Sequence, residues 1–223
     1  MIKQLEKKGG IGVGSCVIFC AGEFDGLMQP VDPEDLVIAA DGGLRHALAL
    51  GLAPDVILGD FDSLGYVPDR AQQFPVEKDD TDSMLAVRRG LEAGCRRFYL
   101  YGSLDGPRLD HTLANFQTLQ FLADRGAMGY LVGKRYIATV IRNGAIAFDA
   151  HAQGILSVFC MGADARGVSL SGLRYNLENG TLTAGFPLGV SNHFIGEKAG
   201  ISVTDGSILL LYDKANGFGE VAL

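Results

Sequence analysis

Three observations predict the fold class: an α/β N-terminal domain with a mostly parallel sheet, followed by an all-β C-terminal domain, a β-sandwich or barrel. Short apolar runs alternate with helical patterns through the first part of the chain, the signature of strands and covering helices. From about Tyr130 the helical periodicity stops. Beyond it, β-type runs alternate with Gly, Asn and Asp turns. The change is abrupt, so the predicted domains are residues 1–137 and 138–223.

Val17-Ile18-Phe19-Cys20-Ala21 is a short apolar run ending at Gly22, as expected of a buried strand. Leu36-Val37-Ile38-Ala39-Ala40 repeats the form and runs into Asp41-Gly42-Gly43, after which Leu44, Ala47, Leu48 and Leu50 fall at helical spacing up to Gly51. Val56-Ile57-Leu58 leads to Gly59-Asp60. Asp80-Thr81-Asp82-Ser83 offers several N-caps ahead of Met84, Leu85, Val87 and Leu91. Arg97-Phe98-Tyr99-Leu100-Tyr101 is a fourth strand, broken by Gly102-Ser103. A last helix from about Asp110 to Arg125 turns Leu113, Phe116, Leu119 and Leu122 inward. In the second part, Asn143-Gly144, Asn179-Gly180 and Asp205-Gly206 stand between β-type runs as hairpin signals.

At 223 residues the chain can bury a substantial core. A net charge of −7 argues against nucleic acid as a partner, since such binders carry a basic face. An acidic chain suits a cationic small molecule, or polyphosphate bridged by metal ions. Cys16, Cys20, Cys95 and Cys160 show neither CxxC nor zinc spacing and read as packed thiols in a reducing, cytoplasmic setting. No apolar stretch approaches the ~20 residues that span a bilayer, so no membrane is expected. The apolar run after Lys3, Lys7 and Lys8 is too short for a signal peptide. Gly10-Ile11-Gly12-Val13-Gly14 mimics a dinucleotide fingerprint but precedes the first strand, where it serves no phosphate.

Ligands of open parallel sheets bind beyond the carboxyl ends of the strands, and polar, Gly-rich sequence follows nearly every strand of the first part. In Gly59-Asp60-Phe61-Asp62-Ser63 the acids are two apart, so an extended backbone aims both the same way. Paired hard oxygens suit Mg²⁺; the same residues are also good turn formers. Asp79-Asp80-Thr81-Asp82 holds more carboxylates than a helix cap needs, and Lys78 beside them is placed for phosphate. In the loop from Gly102 to His111, glycines let N–H groups approach an anion and Arg108 supplies a planar phosphate donor. His111 reads as a base or, more commonly, as a structural hydrogen-bonding group.

These motifs, with Gly106-Pro107-Arg108-Leu109-Asp110-His111 and the late Ser191-Asn192-His193-Phe194, occur in the order seen in thiamine pyrophosphokinases. Over residues 17–212 the chain resembles that family. The resemblance implies a homodimer with active sites between subunits. It also implies Mg²⁺-dependent transfer of pyrophosphate from ATP to the hydroxyl of thiamine, giving AMP and thiamine diphosphate. Carried over by position, Asp60, Asp62 and Asp82 look like the metal carboxylates, and with Arg108 they would carry the transfer. Asp41, Gly42, Gly43, Lys78, Thr81, Arg108 and Asp110 look like the nucleotide side, and Ser191 and Asn192 the thiamine side. Two departures stand out: His193 replaces an acid common in bacterial members, and the chain has no Trp. Stacking on the pyrimidine then falls to a residue such as Phe194.

Two other functions fit parts of the pattern. Asp60-Phe61-Asp62-Ser63 mimics the nucleophile motif of haloacid-dehalogenase-like phosphatases, but the later acids follow too closely and the motif does not end the first strand. A non-catalytic ligand sensor on the same fold is the other; a binder has no need for so many repelling carboxylates.

Overall fold

The structure, a computed structural model, describes residues 14–77 and 79–222. The strands and helices follow in the order β1 (Cys16–Phe19), β2 (Leu36–Ala40), α1 (Leu44–Ala49), β3 (Val56–Gly59), β4 (Gln72–Gln73), α2 (Asp82–Glu92), β5 (Arg97–Tyr101), α3 (Leu109–Ala123) and β6 (Met128–Val132). The chain continues through β7 (Tyr136–Arg142), β8 (Ala145–Phe148), β9 (Ile155–Cys160), β10 (Ala165–Ser171), β11 (Leu177–Leu182), β12 (Gly189–His193), β13 (Ala199–Ser202), β14 (Ser207–Asp213) and β15 (Glu220–Ala222).

A ten-stranded sheet has the order β12-β9-β14-β7-β6-β5-β1-β2-β3-β4. From β6 to β4 its neighbours run parallel; from β6 to β12 they run antiparallel. The two-part pattern in the sequence is therefore a change of strand direction, and residue 137 falls inside β7, within one unbroken sheet. A second sheet, β11-β10-β13-β8-β15, packs on the antiparallel end. Ile137, Ile141, Leu156, Val158 and Tyr212 meet Ile146, Phe148, Val168 and Ile201 between the two sheets, which makes the sandwich.

Alternation sets the layers. Cys16 and Ile18 of β1 face α2 and α3 with Val87, Leu119 and Leu122, while Val17 and Phe19 face the opposite core with Tyr99, Tyr101 and Ala47 of α1. A strand buried on both faces reads as a continuous apolar run. Each large side chain so buried stabilises the fold by about 1.5–3 kcal/mol before entropy is set against it.

Several sequence expectations change. The strand β6 is an addition to those the sequence announces; it pairs with β5 and turns back through Gly133–Arg135 into β7. In α3 the inward positions are Asn115, Thr118, Leu119 and Leu122, and Leu113 is exposed, because the first turns overhang a polar cavity rather than the apolar sheet. Leu48 and Leu50 of the first helical pattern are exposed as well. None of the three Asn-Gly or Asp-Gly signals closes a hairpin. Asn143-Gly144 joins β7 to β8, and Asp205-Gly206 precedes β14 after β13, yet in each case the strands belong to different sheets. These two turns brace each other, with Asn143 N–H on Gly206 O at 3.1 Å and Gly206 N–H on Asn143 Oδ1 at 2.9 Å. Asn179, at φ 48°, lies within β11 where its register against β10 shifts, a bulge in place of a turn. A positive φ bends the chain, but burial of Ile146 and Phe148 between the sheets decides which strand pairs with which.

Candidate active site

The strands β1, β2, β3 and β5 run the same way and end on one edge of the sheet. The segments after them, with the first turns of α2 and α3, wall a cavity of about 620 Å³. Asp41 follows β2 directly, at φ 48° and almost fully buried. Ser63 Oγ donates to its Oδ2 at 2.5 Å, while its Oδ1 is buried without a hydrogen-bond partner among the described residues. Gly59, at φ 148°, brings the end of β3 so near that a Cβ there would stand 3.1 Å from Asp41 Cα. Asp60 comes next, and Asp82 opens α2, where the helix N-terminus favours negative charge.

Carboxylate oxygens of Asp41, Asp60 and Asp82 all lie within 4.8 Å of one another. At such a separation each like-charged pair repels by about 3–4 kcal/mol at an effective dielectric near 20. With a buried, unpartnered Asp41 oxygen facing the same space, the donor set fits a hard divalent cation.

Asp62 stands apart from that set. Phe61 adopts φ 63° and is buried, so Asp60 and Asp62 do not extend side by side. Asp62 N–H instead donates to Asp60 Oδ1 at 3.3 Å, and the Asp62 side chain is exposed at the cavity mouth. Asp41, expected on the nucleotide side, takes its place among the clustered acids.

Arg108 stands at the cavity mouth, paired with Asp110 through two bonds of 3.0 and 2.7 Å. That guanidinium holds the Asp110 carboxyl down at about 2. Asp110 itself lies outside the cavity wall, and His111 lies within it. Thr81 lines the cavity and caps α2, its Oγ1 accepting from Met84 N–H at 3.2 Å. Gly42 and Gly43 are buried and do not line the space; a Cβ on Gly43 would collide with Phe19 O, so this turn serves by letting Asp41 pack close. Lys78 lies outside the described residues, as do Gly10 to Val13 of the glycine-rich lead. Burial, and then the nearby Asp82 charge, push the Cys20 thiol up to about 12, so Cys20 is an inert part of the wall.

Sequence reasoning missed the support behind this wall. Ser83 Oγ donates to Asn115 Oδ1 and Asn115 Nδ2 to Ser103 O, both at 2.7 Å. These bonds tie the start of α2 to the loop after β5. The signal was available: Asn115 is a polar residue on the stripe of Leu119 and Leu122.

The late motif lies elsewhere. Its strand β12 is the far edge of the sheet, five steps from β5 and six from β1, roughly 24–29 Å at normal strand spacing. Asn192 is buried, and its amide is spent on Tyr175, accepting from Tyr175 N–H at 3.0 Å and donating to Tyr175 O at 2.6 Å. Phe194 is buried and packs edge-on against Phe148 at 5.2 Å, so it presents no face for stacking. Ser191 is exposed at φ 60°, its N–H held by Ser157 Oγ at 3.0 Å. Tyr175, bonded through its backbone to Asn192, is 61% accessible.

Two family models match the chain: "Thiamin pyrophosphokinase, catalytic domain" over residues 27–129 and "Thiamin pyrophosphokinase, vitamin B1 binding domain" over residues 146–208. Together they take in well over half of the chain. A thiamine pyrophosphokinase of Bacillus subtilis (strain 168) is 26% identical over 189 residues, 81% of this chain and 88% of that protein. The solved structure of thiamine pyrophosphokinase from Bacillus subtilis superposes with a TM-score of 0.77 at 24% identity, covering 90% of this chain and 99% of that one. That of thiamin pyrophosphokinase from Candida albicans gives 0.67 at 15% identity, covering 90% and 89%. At such identities the superpositions speak for the fold.

Proposed function

The chain belongs to the thiamine pyrophosphokinase family and is an enzyme of that class, and from that premise we propose how its residues carry the transfer. The observation that supports the reading most is the convergence of Asp41, Asp60 and Asp82 within 4.8 Å at the end of the parallel sheet. These three carboxylates would hold Mg²⁺, with Asp62 at the mouth on the substrate side. The ion, when bound, neutralises triphosphate charge and keeps the chain of phosphates in line.

Arg108 faces the incoming triphosphate and offsets part of its negative charge. The thiamine hydroxyl oxygen attacks the β-phosphorus of ATP; the bond from that phosphorus to the α,β-bridging oxygen breaks, and AMP leaves. A carboxylate beside the attacked phosphorus would accept the hydroxyl proton as the new bond forms, and the acidic wall favours the cationic thiazolium. Positioning contributes most of the acceleration in such chemistry.

Thiamine would come to this cavity against a second copy of the chain. Ser191 and Tyr175 lie too far along the sheet to serve their own chain's cavity, while Phe186, Leu188, Val190 and Ile195 leave apolar surface exposed around them. A homodimer that sets this edge over the partner's cavity buries the surface and completes the site. Tyr175, held through its backbone by Asn192, is the stacking aromatic in this reading, in place of Phe194. No described helix is long and apolar enough to cross a membrane, and the cysteines are free thiols; a cytoplasmic setting agrees with both.

The test is incubation with ATP, Mg²⁺ and thiamine, with AMP and thiamine diphosphate measured in equal amounts. Phosphate released from a phosphomonoester without AMP would return the phosphatase reading. Tight thiamine binding without AMP would return the sensor.

A further inference from the structure

The loop from β5 to α3 delivers Arg108, and its course is tied at two levels. Nearest the sheet, Tyr101 and Gly102 carbonyls accept from Cys20 and Gly22 N–H at 2.8 and 2.9 Å. Farther out everything converges on Asp105. Its carbonyl accepts from Glu23 N–H at 2.9 Å, and its Oδ2 accepts from Lys134 N–H, in the turn between β6 and β7, at 2.6 Å. Gly133 passes so close that a Cβ there would collide with Asp105 Oδ2. Over the top, the Lys134 ammonium pairs with the Glu23 carboxylate. Three segments thus meet at this residue: the Glu23 segment through the Asp105 main-chain carbonyl and the β6–β7 turn through its carboxylate.

Downstream of this clasp only Gly106 and Pro107 separate Asp105 from Arg108. Arg108 itself stands at the start of α3 with no side-chain cap. Its guanidinium is exposed and bonded to Asp110, so no wall holds it from outside. Its place is set by α3 on one side and by Asp105 on the other.

We propose that Asp105 is a positioning residue for pyrophosphoryl transfer: by clasping the β5–α3 loop to the β6–β7 turn, it holds Arg108 where the triphosphate arrives. The inference rests on the reading of Arg108 given above. A carboxylate suits the task because a charged acceptor makes the shorter and stronger bond to a backbone N–H. Asn in its place would keep an oxygen for Lys134 N–H; Ala would free the loop from the β6–β7 turn and leave only its main-chain ties to the segment after β1.

Steady-state kinetics of the full chain with ATP, Mg²⁺ and thiamine test this. Asp105→Ala should lower kcat/KM for ATP by about 10- to 100-fold, the scale of a displaced positioning group, with KM for thiamine unchanged. Asp105→Asn should stay within about threefold of the parent, since its oxygen preserves the clasp. Gly133→Ala, which pushes the turn off Asp105, should reproduce the Ala signature by a second route. In an Arg108→Ala background, Asp105→Ala should add less than about twofold, because groups acting through one another are non-additive. Asn as damaging as Ala would overturn the proposal, since the charge would then be meeting substrate or cation directly. So would a full additional loss in the Arg108→Ala background. A parent chain that yields no AMP and thiamine diphosphate would instead reject the functional reading beneath it.

Discussion

The end of the parallel strands and the edge strand β12 dispose their polar and apolar groups differently. At the parallel end, carboxylates crowd together, one buried Asp41 oxygen is left without a partner among the described residues, and the backbone turns through positive φ to bring them there. At β12 the buried Asn192 has both ends of its amide satisfied by Tyr175, the half-buried His193 keeps its Nδ1 without a partner among the described residues, and apolar groups are left outside. On the proposed function, the first region would take a small charged ligand and the second an apolar surface. The difference teaches that a motif's polar residues need not be the ones left open to a ligand: the Asn192 amide is bonded to the Tyr175 backbone, and Asp41, not Asp62, stands among the clustered acids.

The sharpest way to break the comparison is to disable each region in turn. Asp60→Asn should cut pyrophosphoryl transfer by about 10²- to 10³-fold, since a bound metal contributes several kcal/mol at about 1.4 kcal/mol per tenfold. Asp62→Asn, outside the clustered acids, should cost only about tenfold, or ~1.4 kcal/mol; equal losses would erase the distinction between the clustered set and the rim. Mixing an Asp60→Asn chain with a chain carrying Ser191→Trp, each nearly inactive alone, should restore about a quarter of parental activity. Half the dimers are then hybrids with one intact site, whereas no recovery would mean that each chain is complete by itself.

Smaller effects separate exposed from buried aromatics. Tyr175→Ala should raise KM for thiamine by roughly tenfold, the worth of an aromatic contact, and leave KM for ATP alone. Phe194→Ala should act on the fold, lowering stability by about 3–5 kcal/mol in thermal or denaturant unfolding; a selective thiamine defect there would put the stacking role back on Phe194. The smallest effect is that of pH on the rim pair. An ordinary aspartate titrates near 3.9, and Asp110 is held down at about 2 by Arg108. A depressed carboxyl contributes fully above about pH 4 and loses that contribution as pH falls toward 2. Carbon NMR of the Asp110 carboxyl should show a midpoint near the lower value, and Arg108→Ala should move it up.

Much of this was legible in the residues alone, and the reasons are physical. Apolar runs ending at glycine and acid reveal parallel strands because a strand buried on both faces must be apolar throughout, and its ligand edge must be polar. The acids at Asp60 and Asp82 and the guanidinium at Arg108 are legible because that edge gathers loops distant in sequence. Three matters were decided by tertiary structure alone. The φ of Phe61, set by burial of its ring, turns Asp62 outward and leaves Asp41 to complete the cluster. The burial of Ile146 and Phe148 between sheets assigns the Asn143-Gly144 turn to a crossing between layers, since turn residues encode a change of direction and not a pairing partner. The strand order, which no local pattern carries, puts Ser191 and Tyr175 at the opposite edge from the cavity, and with that distance makes the second copy of the chain part of the question.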